Sequence, residues 1–307
     1  MRSVVIGAVE STAVLIRKLV EFDYKPVLVV TLGLEYANRH SDFVDIRPLC
    51  NRYNIKILEV NKSQGSEFIA KIRAERPDYL WVVGWSQIIA HDILAVPRYG
   101  VIGYHPAPLP KMRGRAVIAW TILRRMRETA SSVFFINEDV DAGDIIQQEF
   151  FSVSDEENVA TLLQKHMLAF NLILERVIPS LAKNEVMRYP QDHAHATYCA
   201  RRRPEDGLID WNASANDIAC LIRSATRPYP GAFSFYHNKK VFIWSAQILK
   251  SNPHIAMPGQ VVGINQDYLD VYCGRDSLLR LTQVSFEREI LKEVGCLFKL
   301  HDKFATS

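Results

Sequence analysis

RSVVIGAVESTAVLIRKLVEFDYKPVLVVT, residues 2–31, decides the fold class. Arg2 to Gly7 is a short β-branched run without polar alternation, so it reads as a strand buried on both faces. Thr12 to Phe22 spaces its apolar residues as one face of a helix, and Pro26 to Thr31 is a second buried strand. Two such strands joined by a helical crossover predict parallel pairing. The alternation continues with a helix over Asp42 to Tyr53 interrupted by Pro48, a strand over Lys56 to Val60, and a helix over Ser66 to Arg73. Strands at Tyr79 to Gly84 and Val101 to His105 follow. This pattern predicts an α/β fold, a Rossmann-like doubly wound parallel sheet whose ligands lie at the carboxyl ends of the strands. The first strand runs into GAVEST, which lacks the glycine spacing a dinucleotide pyrophosphate needs.

Beyond that sheet, Ala116 to Arg127 reads as a helix, and Ser131 to Asn137 and Asp144 to Phe151 as strands flanking an acidic turn. A long amphipathic helix from Val159 to Ile178 is expected to stop at Pro179. Residues 184–206 are rich in Arg, Pro and His with little periodicity and read as a linker. A short helix, Ala215 to Ser224, precedes five short strands: Ala232 to Tyr236, Lys240 to Trp244, Gly259 to Gly263, Tyr268 to Cys273 and Ser277 to Val284. They suggest a smaller C-terminal OB-like β-barrel domain. The expected division is a catalytic domain over 1–185, a linker over 186–205 and the barrel domain over 206–307.

Composition narrows the function. The 307 residues are 48% apolar and 23% charged, an ordinary folded chain, and a formal charge of +3 gives no reason to expect a polyanion partner. No apolar run is long enough to span a bilayer, and the first residues contain no signal-like apolar core, so the chain reads as cytoplasmic with no membrane partner. Five scattered cysteines with no close pair suggest reduced thiols and no metal site. Asp192, His193 and His195 lie in the linker without a further ligand in suitable spacing.

Two segments carry chemistry. Tyr99 to Trp120, YGVIGYHPAPLPKMRGRAVIAW, places His105 at the end of a buried strand, followed at once by prolines and a glycine. An imidazole there is suited to proton transfer or to stabilising an oxyanion; the residues alone also allow a hydrogen-bonded loop histidine. Asn137 to Asp144, NEDVDAGD, crowds Asp139, Asp141 and Asp144 near Gly143, where a carboxylate can face a cation; a solvated turn is the plainer reading.

Taken together, HPAPLPKMRG (His105 to Gly114) and the Asp141-x-Gly143 turn about 36 residues later resemble the folate-dependent formyltransferases. Pro204 to Tyr236 is similar to the start of the C-terminal domain of the transfer RNA enzymes in that family. The resemblance implies N10-formyltetrahydrofolate as co-substrate, His105 and Asp141 as catalytic residues, and contacts to the folate from Gln87, Ile88, Ile89, Asp139 and Val140. It also marks a departure. The family's catalytic Asn, two residues before the His, is Gly103 here. One oxyanion donor is worth about 3–4 kcal/mol, and Gln87 or a backbone N–H is the candidate substitute.

For the acceptor, the sequence favours a nucleotide-linked amino sugar, with Lys111, Arg113 and Arg115 available to its phosphates. Residues 31–50 lack a basic insertion, and residues 200–307 hold fourteen basic against eleven acidic side chains, which argues against nucleic acid. Methionyl-tRNA formylation and non-catalytic folate or nucleotide binding are the alternatives. The tail, FEREILKEVGCLFKLHDKF, is mildly amphipathic and is a candidate homodimer contact or a surface helix.

Overall fold

The structure, a computed structural model, describes residues 1–39, 42–87, 89, 91–286, 289–290 and 294–305. The chain divides into two compact units. The first comprises residues 1–117, 127–153 and 163–200; the second comprises 118–126, 154–162 and 201–307. Among the described residues no helix is long and apolar enough to cross a membrane.

In the first unit β1 (Ser3–Ile6), β2 (Leu28–Leu32), β3 (Ile57–Val60), β4 (Tyr79–Val82) and β5 (Gly100–His105) are parallel. β6 (Arg113–Gly114) lies outside the main sheet, whereas β7 (Glu128–Phe135) and β8 (Ile145–Ser152) extend it as an antiparallel pair. The order β3-β2-β1-β4-β5-β7-β8 reverses direction between β1 and β4, so the sheet is doubly wound. Successive side chains feed opposite faces. Val5 joins Leu15, Ile16 and Leu19 of α1 (Glu10–Glu21) on one side, while Val4 and Ile6 join Phe68 and Ile72 of α3 (Ser66–Ala74) on the other. Each such fully buried aliphatic contributes roughly 1.5–3 kcal/mol of transfer free energy. At the reversal, a side chain on Gly7 would strike the Val83 carbonyl, which instead accepts from Thr12 Oγ1 at 2.7 Å.

Two proline readings change. Pro48 does not interrupt α2 (Arg47–Arg52) but occupies its first turn, where a missing N–H costs nothing, so the helix is shorter than expected. Pro179 does not stop α6 (Val159–Lys183), which comes after the short helices α4 (His91–Leu94) and α5 (Val117–Leu123) in the chain. Its ring removes one helical hydrogen bond, but Ile178 just before it and Leu181 just after it are both in the core. The helix ends instead at Asn184, whose φ of 57° lets Glu185 N–H reach the Ser180 carbonyl at 2.9 Å. Residues 184–200 also do more than connect: Tyr189 pairs with Ile145, and β9 (Tyr198–Cys199) pairs with β6.

The second unit is antiparallel. β10 (Ala232–Tyr236), β11 (Lys239–Leu249), β12 (Val261–Asn265), β13 (Tyr268–Cys273) and β14 (Ser277–Phe286) are ordered β10-β11-β14-β13-β12, and β15 (Glu289–Ile290) pairs with β14. Ala305 bridges Phe235 of β10 and Lys303 bridges Gln260 before β12, so the chain end spans the two edges and completes an OB-like barrel. α7 (Ala215–Ala225) starts with Ser214 accepting from Asp217 N–H and buries Ile218 and Ile222. The described part of the tail forms no α-helix, only a short 3-10 turn over Val294–Leu297, and exposes Leu297 and Leu300. Val294, Phe298 and Phe304 are core residues, with Phe304 stacked on Trp211 at 5.4 Å; residues 287, 288 and 291–293 lie outside the described residues.

Candidate active site

His105 ends β5 opposite Ser132 of β7, and the residue is 6% exposed. Its Nε2 lies 2.8 Å from the Met112 carbonyl oxygen. A carbonyl only accepts, so Nε2 must carry a hydrogen; in the neutral ring the free lone pair is therefore on Nδ1. The loop that brings Met112 back over the ring is pinned from below. Ser132 Oγ donates to the Ala107 carbonyl at 2.6 Å, and Gln148 Nε2 donates to the Leu109 carbonyl at 2.9 Å. Met112, at φ 60°, has its N–H held by Thr197 Oγ1 at 2.8 Å.

Asp141 comes from the turn between β7 and β8. Its Oδ2 lies 3.7 Å from His105 Nδ1 and accepts from Gly114 N–H at 2.8 Å. The structure thus brings together two side chains 36 positions apart, with the carboxylate facing the nitrogen that holds the lone pair. The turn is conformationally demanding: Asp141 sits at φ 52°, and any Cβ at Gly143 would fall on the Phe135 carbonyl oxygen. That steric limit explains the glycine.

The remaining expected residues divide. Lys111 and Arg115 are exposed, and Arg115 Nη2 donates to the Ser86 carbonyl. Arg113 departs from its expected phosphate role: it is 1% exposed and turned inward onto Gln191, Tyr198 and His193. Its guanidinium is occupied by neutral acceptors and has no free path to a phosphate. Gln87 is held on the 61–63 segment, with Nε2 donating one hydrogen to the Asn61 carbonyl at 2.9 Å and Oε1 accepting from Ser63 N–H at 3.1 Å. Ile89 packs against the core, Ile88 lies outside the described residues, Asp139 is exposed, and Val140 is 55% exposed beside Asp141.

Gly103 has a structural cause. A Cβ there would lie 2.8 Å from the Phe134 ring and 2.9 Å from Ile136, so these two side chains fill the space a larger residue would need.

Sequence reasoning passed over two residues next to this centre. Gln191, 5% exposed, holds Arg113 with its oxygen and the 141–143 turn with its nitrogen. It was hidden in an aperiodic segment. The other is His166 of α6, whose Nδ1 meets Ser131 Oγ at 2.9 Å, with Tyr104 OH on the same hydroxyl at 3.0 Å. Burial, with a smaller contribution from His105, pushes the His166 imidazole down to about 3, and burial pushes the Tyr104 phenol up.

His166 is therefore neutral in the folded chain and takes up a proton near its ordinary 6.5 on unfolding. Stability from this group is complete above that value and falls as pH drops toward the folded value. Between about pH 7 and about pH 4.5, the native protein should lose about 2 kcal/mol more than His166→Gln, which keeps an acceptor but cannot ionise. Urea unfolding of both proteins at the two pH values measures the difference; equal losses would contradict a buried neutral ring.

Comparison with known proteins gives a consistent pattern. The family model described as "Formyl transferase" matches residues 2–178, and that described as "Formyl transferase, C-terminal domain" matches residues 202–293. A methionyl-tRNA formyltransferase of Acetivibrio thermocellus is 28% identical over 305 residues, covering 98% of this chain and 97% of that protein. Among solved structures, HypX from Aquifex aeolicus in complex with tetrahydrofolic acid superposes with a TM-score of 0.67 at 15% identity. That match covers 94% of this chain, which spans 44% of the HypX chain. The sugar 3N-formyltransferase WlaRD, crystallised with dTDP and 5-N-formyltetrahydrofolate, gives 0.67 at 14% identity over 94% of this chain and 98% of its own.

Proposed function

This chain belongs to the formyl transferase family, and from that premise we propose that it moves a formyl group from N10-formyltetrahydrofolate to the amine of a nucleotide-linked amino sugar. The observation that carries the reading is the His105–Asp141 pair, with Nε2 committed to the Met112 carbonyl and Nδ1 facing the carboxylate at 3.7 Å. Formyl transfer forms a carbon–nitrogen bond to the amine, breaks the bond to N10 and moves one proton from the former nitrogen to the latter. His105 Nδ1 takes that proton, and the Asp141 carboxylate lies where the ring's positive charge arrives. The folate lies between the loop after β4, with Gln87, Ile88 and Ile89, and the turn holding Asp139 and Val140. The turn brings Asp141 to His105 at the carboxyl end of β5, and Ser86 of the loop after β4 accepts from Arg115 Nη2. Lys111 and Arg115, both exposed, meet the anionic part of the acceptor; Arg113 has a different task, described below.

The acceptor is the finer part of the proposal. Support comes from the small basic surplus of residues 200–307, fourteen against eleven, and from the absence of a basic insertion over 31–50. The full-length likeness to a methionyl-tRNA formyltransferase supports a second reading, formylation of an aminoacylated transfer RNA. UDP-, dTDP- and GDP-linked amino sugars and methionyl-tRNA should be offered separately with N10-formyltetrahydrofolate, with product mass and tetrahydrofolate release recorded. Formylation of an amino sugar is expected. Formylated methionyl-tRNA, lost steeply as salt rises, would replace this acceptor with the second, and folate affinity without tetrahydrofolate release would make the chain a binder.

A further inference from the structure

We propose that Gln191 is a positioning residue that sets the His105–Asp141 separation by tying together the two backbone segments that hold those side chains. The inference rests on the proposed roles of His105 and Asp141. Gln191 Nε2 donates to the Asp141 carbonyl at 2.9 Å and to the Gly143 carbonyl at 2.7 Å. Its Oε1 accepts from Arg113 Nε at 3.1 Å and from Arg113 Nη2 at 2.7 Å. Both amide hydrogens and both lone pairs of one carboxamide are thus used, and no other neutral side chain of this length offers that set.

The contacts on either side of Arg113 give the linkage its meaning. The residue before it, Met112, supplies the carbonyl that fixes His105 Nε2; the residue after it, Gly114, supplies the N–H that holds Asp141 Oδ2. A shift of Arg113 therefore moves the partners of both reacting side chains at once, while a shift of the 141–143 backbone moves Asp141 itself. Arg113 is almost fully buried yet forms no ion pair among the described residues; its other partners are Tyr198 OH at 3.2 Å and His193 Nδ1 at 3.3 Å. A buried cation satisfied only by neutral groups is costly to stability. A carboxylate in place of Gln191 would neutralise it, so stability alone does not favour glutamine here. What a carboxylate lacks is the donor pair aimed at the turn.

Gln191→Glu separates the two roles. The new ion pair should leave the melting temperature unchanged or raised. The carboxylate oxygen that takes the place of Nε2 faces the carbonyls of Asp141 and Gly143 with no hydrogen to donate and should displace the turn, lowering kcat about 10- to 100-fold while KM for the formyl donor stays within about twofold. Tetrahydrofolate release is followed with the amino-sugar nucleotide as acceptor or, if none serves, with excess hydroxylamine. Wild-type kcat in a folded Gln191→Glu protein overturns the proposal. If that variant does not fold, Gln191→Asn decides, since it keeps the neutral amide but is too short to span Arg113 and both carbonyls; unchanged kcat there is equally fatal. His105→Gln in the same assay keeps the failures apart: full activity in it removes the underlying reading, whereas its collapse beside an active Gln191 variant removes only the positioning role.

Discussion

Replacing His105 with Gln is expected to lower kcat by about 10²- to 10⁴-fold, the range for loss of a general base, with the melting temperature moved by no more than a few degrees. Glutamine suits the test because its amide N–H reaches toward the same Met112 carbonyl that His105 Nε2 now holds at 2.8 Å. The loop over the ring can then stay closed, supported independently by Ser132 on Ala107 and Gln148 on Leu109. What disappears is a nitrogen that gains and returns a proton. Single-turnover release of tetrahydrofolate, beside thermal melts, measures both quantities. Activity within tenfold of the native protein would remove His105 as the base.

How much of this was legible beforehand depends on what the signal was made of. The doubly wound sheet follows from residues 2–31 because strands buried on both faces need unbroken β-branched runs, and both Val4 and Val5 are fully buried on opposite faces. The strand boundaries in the second unit were harder to read. β11 continues to Leu249, not Trp244, because register shifts around Ser245 break the two-residue alternation on which the reading depends. Local sequence also misjudged both prolines: Pro48 fits the first turn of α2, and the packing of Ile178 and Leu181 carries α6 past Pro179.

That His105 and Asp141 come together in the candidate site was legible through the family resemblance carried by their motifs, whereas placements decided by burial were not. Lys111, Arg113 and Arg115 look alike in sequence, and in one regular strand they would share a face; the positive φ at Met112 (60°) and Gly114 (101°) breaks that alternation, and only the middle side chain is buried. Gln191 left no periodic trace, because a single buried amide that bridges backbone groups needs neither a helix face nor a strand face. Gly103 could be noticed as a departure, but not explained. Its cause is the Phe134 ring directly across the ladder, together with Ile136. Restoring an asparagine there thus requires removing aromatic volume as well, and a single substitution would be overpacked.

The second large effect concerns how His105 and Asp141 act together. Asp141→Asn is nearly isosteric, and its carbonyl oxygen can still accept the Gly114 N–H that Oδ2 now receives at 2.8 Å, so the turn should persist. The negative charge 3.7 Å from His105 Nδ1 is lost. An imidazolium forming at that nitrogen then has no counter-charge in a nearly buried setting, and kcat should fall by about 10²- to 10³-fold. Because the carboxylate is useful only when the ring takes up a proton, its removal from a protein already lacking the ring should matter little. The double variant His105→Gln/Asp141→Asn is therefore expected to be no slower than His105→Gln alone by more than about threefold, far from the product of the two single effects. A double variant slowed by that full product would mean that the two side chains serve separate steps, and the proton-transfer role assigned to their contact would have to be abandoned.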